Sequence, residues 1–263
     1  MPDRCSDRIH PQAQIDPAAI LHPSVAVGPF TLIGADVEIG AGTCIGPHNV
    51  IKGPTRIGQN NRVFQFCTLG EDCQDLKYQG EPTELIIGDN NRFREYCSVH
   101  RGTVQDRGAT RIGSDNLLMC YTHVAHDCQL GDHCILSNAA QLAGHVHLGD
   151  WAIVSANAGV HQHCRIGAHG FVGAYSAVFQ DVPAYTVVHG APAVPRVVNV
   201  EGLKRRQFSA ADIRAIQTAF RTLYKRKLSL ADALTEIRQQ MEAHPVVKPL
   251  YDSVASAKRN IVR

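Results

Sequence analysis

Residues 112–178 read IGSDNLLMCYTHVAHDCQLGDHCILSNAAQLAGHVHLGDWAIVSANAGVHQHCRIGAHGFVGAYSAV. Every sixth residue of this stretch is aliphatic: Ile112, Leu118, Val124, Leu130, Leu136, Leu142, Leu148, Val154, Val160, Ile166, Val172 and Val178. The same ladder climbs without a miss from Ile9 to Leu69 and resumes at Ile87, Phe93 and Val99. A period of six fits neither a lone helix nor a hairpin strand. It fits a chain that makes a short strand, turns and repeats. Three such sides close a triangular coil of about 18 residues, and stacked coils make a parallel β-helix solenoid. The aliphatic residue and the small residue two places before it should point inward (Thr31, Thr43, Thr55, Thr122, Ala140, Ala152, Ala158, Ser176). Coils lie about 4.8 Å apart, so inward side chains must be narrow. An aromatic content of only 6% agrees.

Working outward, the ladder breaks twice, at residues 71–86 and about 101–111, which are expected as loops thrown out of the solenoid. Insertions in repeat proteins collect on the binding face. The pattern ends past Pro183, so residues 1–190 are expected as the β-helix and 191–263 as a helical C-terminal domain. There Ser209 and Ser229 each open an S-x-x-D helix start, and Pro245 precedes a third helical segment, about 246–259. The three helices are expected to cap the open end of the solenoid.

Composition excludes other classes. The 263 residues are 44% hydrophobic and 19% charged, neither a disordered chain nor a coiled coil. No apolar run reaches the ~18 residues of a membrane span, and the polar N-terminus is no signal peptide. A soluble, cytoplasmic protein is expected, with no nucleic-acid partner. Nine cysteines without a CxxC pair point to reduced thiols rather than a zinc ribbon. Cys67, Cys97, Cys128, Cys134 and Cys164 fall at the small inward place and read as compact apolar filler. Net charge is +2, yet residues 200–263 hold 13 Lys/Arg against 6 Asp/Glu, so the tail is basic and the body mildly acidic.

The candidate chemistry is histidine. Eight of fourteen lie between positions 123 and 169, all at corners or outward places of the repeat. His133, His147 and His169 read as ordinary corner residues. His123, His126, His145 and His161 form a denser group, and the spacing of 18 stacks Asp127, His145 and His163 in successive coils. Asp127 alone gives little ground for a dyad with His126, because neighbours in an extended chain diverge. Such a cluster permits a three-imidazole zinc site or a general base, and spacing does not choose between them.

Longer stretches carry a resemblance: QDLKYQGEPT (74–83), HRGTVQ (100–105), GSDNLLM (113–119), HVAHDC (123–128), LAGHV (142–146), VHQHCRIGAH (160–169), QDVP (180–183) and VNVEGLKRRQFS (198–209). With these the chain resembles the acyl-[acyl-carrier-protein]–UDP-N-acetylglucosamine O-acyltransferases of lipid A synthesis. The resemblance implies a left-handed β-helix and transfer of an (R)-3-hydroxyacyl group to the glucosamine 3-hydroxyl. It also implies a homotrimer with active sites between neighbouring solenoids. It makes His126 the general base and the Gly144 N–H the oxyanion donor. His123, His145, Gln162 and Asp75 fall around the sugar and diphosphate, and Asn199, Glu201, Arg205 and Arg206 around the nucleotide. Ala174 falls at the position governing acyl length, where one methyl beyond glycine shortens the accepted chain slightly, with Phe171 and Tyr175 narrowing the channel too. Acyl carrier protein, bearing the donor on its phosphopantetheine, and UDP-N-acetylglucosamine are the implied partners. No metal or further cofactor is implied, and the basic tail suits an acidic carrier. The run VSANAGVHQHC (154–164) departs from the family's glycine-rich version, and His163 stands where an apolar residue is usual. Two alternatives remain: a zinc-dependent carbonic anhydrase on the same repeat, and a non-enzymatic β-solenoid binding module. The related lipid A N-acyltransferases carry an extra N-terminal domain, for which a repeat starting at Ile9 leaves no room.

Overall fold

The computed structural model describes residues 9–263; the polar reading of residues 1–8 lies outside them. Within that span the hexad ladder winds into a triangular prism of very short strands, mostly two residues long. Every third strand pairs in parallel with its counterpart one coil away, which gives three sheets. The first face contains Ser98–His100, His123–Val124, Gln141–Leu142, Gly159–Val160 and Ala177–Val178. The second contains Ala109–Ile112, Gln129–Leu130, His147–Leu148 and Arg165–Ile166, and the third Leu117–Leu118, Ile135–Leu136, Ile153–Val154 and Phe171–Val172. The fold class is the expected left-handed parallel β-helix with a small helical C-terminal region.

The ladder positions are the core. Leu118, Leu136, Leu142, Val154 and Val172 have no exposed surface, and the small inward residues Thr31, Ala140 and Ala152 are equally enclosed. Each buried aliphatic contributes ~1.5–3 kcal/mol. The five inward cysteines are buried as expected. Cys44 departs from the expectation of uniformly reduced thiols: it is disulfide-bonded, at a half-buried outward strand position where a thiol is not shielded by the core.

The corners have a backbone that most side chains avoid. Residues at three positions per coil take positive φ, including Phe66 (63°), Tyr121 (63°), Asp127 (59°), His145 (62°), Trp151 (63°) and His169 (59°). This left-handed conformation costs a residue bearing a Cβ about 1–2 kcal/mol, so the stacking of coils must hold it in place. One consequence is that a corner side chain lies directly over its counterpart in the next coil.

Strands run further into the two expected loops than the ladder indicates: Thr68–Glu71 and Glu84–Ile87 flank the first insertion, and Ser98–His100 and Ala109–Ile112 the second. Arg101, 7% exposed, ties the insertions down by donating to the Gly70 carbonyl and the Tyr78 hydroxyl (both 3.0 Å), and also to the Gly53 carbonyl and Asp72. At the far end Thr186–His189 and Val194–Val198 form an antiparallel pair that finishes the third face. Four helices follow: α1 (Val200–Arg205), α2 (Ala210–Tyr224), α3 (Leu230–Ala243) and α4 (Lys248–Ala255). Ser209 and Ser229 cap α2 and α3, each accepting from the N–H three residues on, as the S-x-x-D pattern predicts. The short α1 was not foreseen; Asn199 caps it. Leu203, Ile216, Ile237 and Leu250 form a second core with Ala184 and Tyr185, covering the last coil. No helix among the described residues is long and apolar enough to cross a membrane.

Candidate active site

The corner between the first and second faces carries Asp127, with His126 one residue before it. The left-handed φ of Asp127 turns its carboxylate back toward its neighbour, and His126 Nδ1 lies 2.9 Å from Asp127 Oδ2. The divergence expected of an extended chain does not apply at such a corner, so the two residues pair after all. Asp127 is fully buried. Its oxygens also accept from the Thr103 N–H at 2.9 Å and hydroxyl at 2.6 Å, so the second insertion closes over it. Burial acts to raise the Asp127 pKa, but the hydrogen bonds from His126 and Thr103 outweigh it and hold the carboxyl below its ordinary value. A carboxylate accepting from Nδ1–H leaves the lone pair on Nε2.

Around this pair the other expected residues assemble. A Cβ placed on Gly144 would lie 2.6 Å from Nε2 and Cε1 of His126, so only glycine lets the backbone approach the imidazole this closely. The His145 ring stands edge-on to His126 (5.0 Å) and stacks on His163 (4.3 Å). His145 Nδ1 is held by Asp106 of the second insertion at 3.0 Å. His123 Nδ1 pairs with the Ser98 hydroxyl at 2.8 Å, and its ring meets His100 edge-on. Burial first, then the nearby His100 and His126, push the His123 pKa down to about 4, so it is neutral at pH 7. Asp75, His123, His126, Gly144, His145, His161, Gln162 and His163 all line one cavity of about 1100 Å³ on the first face.

The residues expected around the nucleotide lie elsewhere. Asn199, Glu201, Arg205 and Arg206 line a separate cavity of about 630 Å³ on the third face, with Trp151, Ile153 and Phe171. Arg206 lies over the Trp151 ring at 4.7 Å, and its buried Nη1 has no hydrogen-bond partner among the described residues, a donor that could meet an anion. The amide of Asn199 is occupied, accepting from the Gly202 N–H and donating to the His169 carbonyl, so it positions α1 against the corner. His169 is more than an ordinary corner residue: it stacks on Tyr185 (5.4 Å) and meets Phe208 edge-on (5.2 Å). Burial, then Arg206, lower its pKa to about 4. Ala174 lines neither cavity.

Sequence reasoning missed Thr103, Arg101, Asp106 and Trp151. The only signal was that the first three fall in or beside the quoted HRGTVQ stretch. His126, Asp127 and His145 are close enough to share one cation. Nδ1 of both histidines and the Asp127 oxygens are already paired with one another, with Thr103 and with Asp106. That set fits an oriented base better than an open metal site.

Residues 181–262 match the family described as UDP N-acetylglucosamine O-acyltransferase, domain 2, and residues 18–53 and 109–140 match the bacterial transferase hexapeptide. An acyl-[acyl-carrier-protein]–UDP-N-acetylglucosamine O-acyltransferase of Ectopseudomonas mendocina is 52% identical over 203 residues, 77% of this chain and 79% of its own. That of Pseudomonas putida strain GB-1 is 52% identical over 205 residues, 78% and 80% of the two chains. Among solved structures, LpxA of Acinetobacter baumannii superposes with a TM-score of 0.95 at 47% identity, covering 97% of this chain and 99% of its own. The UDP-N-acetylglucosamine acyltransferase of Francisella novicida does so with a TM-score of 0.96 at 39% identity, covering 97% and 94%.

Proposed function

The chain belongs to the acyl-[acyl-carrier-protein]–UDP-N-acetylglucosamine O-acyltransferases, and from that premise we propose that His126, held by Asp127, is the base of its reaction. The enzyme moves an (R)-3-hydroxyacyl group from acyl carrier protein to the glucosamine 3-hydroxyl of UDP-N-acetylglucosamine, the first step of lipid A biosynthesis. As the 3-hydroxyl oxygen attacks the thioester carbonyl carbon, Nε2 of His126 takes its proton. The oxyanion is stabilised by the Gly144 N–H, for which no partner exists among the described residues. Collapse breaks the C–S bond, and the departing phosphopantetheine thiolate recovers the proton from Nε2. Atoms and charge balance without another cofactor. A cytoplasmic location is part of the same proposal, since a carrier protein and a nucleotide sugar are both water-soluble substrates.

The observation that carries this reading is the 2.9 Å contact between His126 Nδ1 and a buried carboxylate, because it fixes which nitrogen is free to act. In His126→Ala, kcat should fall by ~10²–10⁴ with the solenoid intact. A folded variant of undiminished turnover would refute the assignment.

The two cavities support a homotrimer. One lies on the first face and the other on the third, and adjoining faces of a prism look away from each other. A single nucleotide sugar cannot reach both in one chain. The corner joining these faces carries a stack of rings, Phe30, His48, Phe66, Tyr96 and Tyr121, with centroids 4.8–5.2 Å apart. The aromatic residues in it are 43–59% exposed. Three chains gathered around that corner cover the rings and turn each histidine cavity toward a neighbour's Arg206. The sugar then sits at His126 with its diphosphate on arginines of the next chain.

A further inference from the structure

The first insertion brings Asp75 and Lys77 to the histidine cavity, yet it hangs on very little. Most of its hydrogen bonds stay inside it. The Tyr78 N–H donates to the Asp75 carbonyl (3.0 Å), the Lys77 N–H to Asp75 Oδ1 (3.0 Å) and the Tyr78 hydroxyl to the Glu81 carbonyl (3.1 Å). Leu76, at the tip of that turn, is fully exposed. Asp72 also bonds to Glu71, the residue just before it. Beyond that, among the described residues, the hydrogen bonds that tie residues 72–83 to the solenoid all come from Arg101. Its Nη2 donates to the Tyr78 hydroxyl at 3.0 Å and to Asp72. Its Nη1 is anchored on solenoid backbone, at the Gly70 carbonyl (3.0 Å) and the Gly53 carbonyl.

One enclosed guanidinium therefore joins a fixed frame to the turn that starts at Asp75. We propose that Arg101 is a positioning residue: acting through Tyr78, it sets the Asp75 carboxylate at the cavity and so governs how firmly the nucleotide sugar is held. The inference rests on the acyl-transfer reading above, in which Asp75 meets the acceptor. Lysine has no planar fork with which to span two carbonyls, a carboxylate and a phenol. The base stands outside this chain of contacts, because Asp127 takes its hydrogen bonds from His126 and Thr103.

The test uses the full-length enzyme, varying UDP-N-acetylglucosamine at saturating 3-hydroxyacyl carrier protein. In Arg101→Lys, KM for the nucleotide sugar should rise about tenfold, while kcat changes less and keeps its pH dependence. Tyr78→Phe removes one link and should raise KM about threefold. Placed in an Asp75→Ala background, neither change should raise KM further, because the three residues act in series. A folded Arg101→Lys enzyme with a lowered melting temperature and an unmoved KM would overturn the proposal. Effects that multiply in the double variants would overturn it too. If Arg101→Lys fails to fold, Tyr78→Phe with and without Asp75→Ala makes the same comparison. Wild-type enzyme that transfers no acyl group from carrier to sugar would instead sink the acyl-transfer reading, so the two failures are told apart.

Discussion

Two corners of the same prism repay comparison. The corner between the third and first faces holds Phe30, His48, Phe66, Tyr96 and Tyr121, at φ of 57–63°. The corner between the first and second faces holds Asp127, His145 and His163, at φ of 59–64°. The backbone is the same in both. What differs is the residue type placed on it, and the difference in behaviour is complete. Rings piled face to face make an apolar ridge suited to self-association. A carboxylate beside an imidazole makes an oriented base, because the left-handed φ of Asp127 turns its carboxylate back onto His126 while Thr103 closes over it. The solenoid thus supplies a rack of equivalent corners, and adhesion or catalysis follows from what each one carries.

The histidine corner should break most severely. Asp127→Asn keeps the shape of the corner but removes the charge that fixes the His126 tautomer, and kcat should drop ~10–100-fold while KM for the nucleotide sugar changes little. An equal rise in KM with kcat untouched would mean that Asp127 serves binding instead. The ring corner should break differently. Phe66→Asp combined with Tyr96→Asp places like charges on the ridge, so light scattering should report monomers with an unchanged solenoid circular-dichroism spectrum. Those monomers should lack turnover, because each cavity has lost its neighbour. A trimer that survives both charges would remove the ridge from the interface.

Acid gives the smallest and most diffuse effect. His123 and His169 lie at about 4 when folded, against ~6.5 unfolded. Near pH 5 the unfolded chain therefore binds roughly two more protons than the folded one, and unfolding becomes easier as pH falls from ~6.5 toward 4. Above that window these histidines contribute no slope. Asp127, whose folded pKa is lowered, adds stability that is lost at still lower pH. Urea midpoints compared at neutral and mildly acid pH would show this, and a midpoint that rises on acidification would contradict it.

Much of this was legible in the chain. The hexad ladder, the inward cysteines and the Ser209 and Ser229 caps are local patterns that hold wherever the repeat is unbroken. The ring corner was not legible, because the insertions stretch its spacing from 18 residues (Phe30, His48, Phe66) to 30 (Tyr96) and then 25 (Tyr121). Counting by a fixed period loses such a column. The Asp127 pairing was hidden for another reason: it depends on a left-handed φ imposed by neighbouring coils, and no local propensity announces that. Thr103 and Arg101 act across insertions, through contacts 24 and 31 residues apart, which sequence spacing does not encode.

The central claim concerns one proton. In the resting enzyme it should reside on Nδ1 of His126, with Nε2 bare. The ¹⁵N spectrum of the selectively labelled imidazole, recorded with the ring neutral, reads this directly. A protonated Nδ1 and a pyridine-like Nε2, reversed or averaged in Asp127→Asn, is the result expected. A proton found on Nε2 in the wild-type protein would contradict the account.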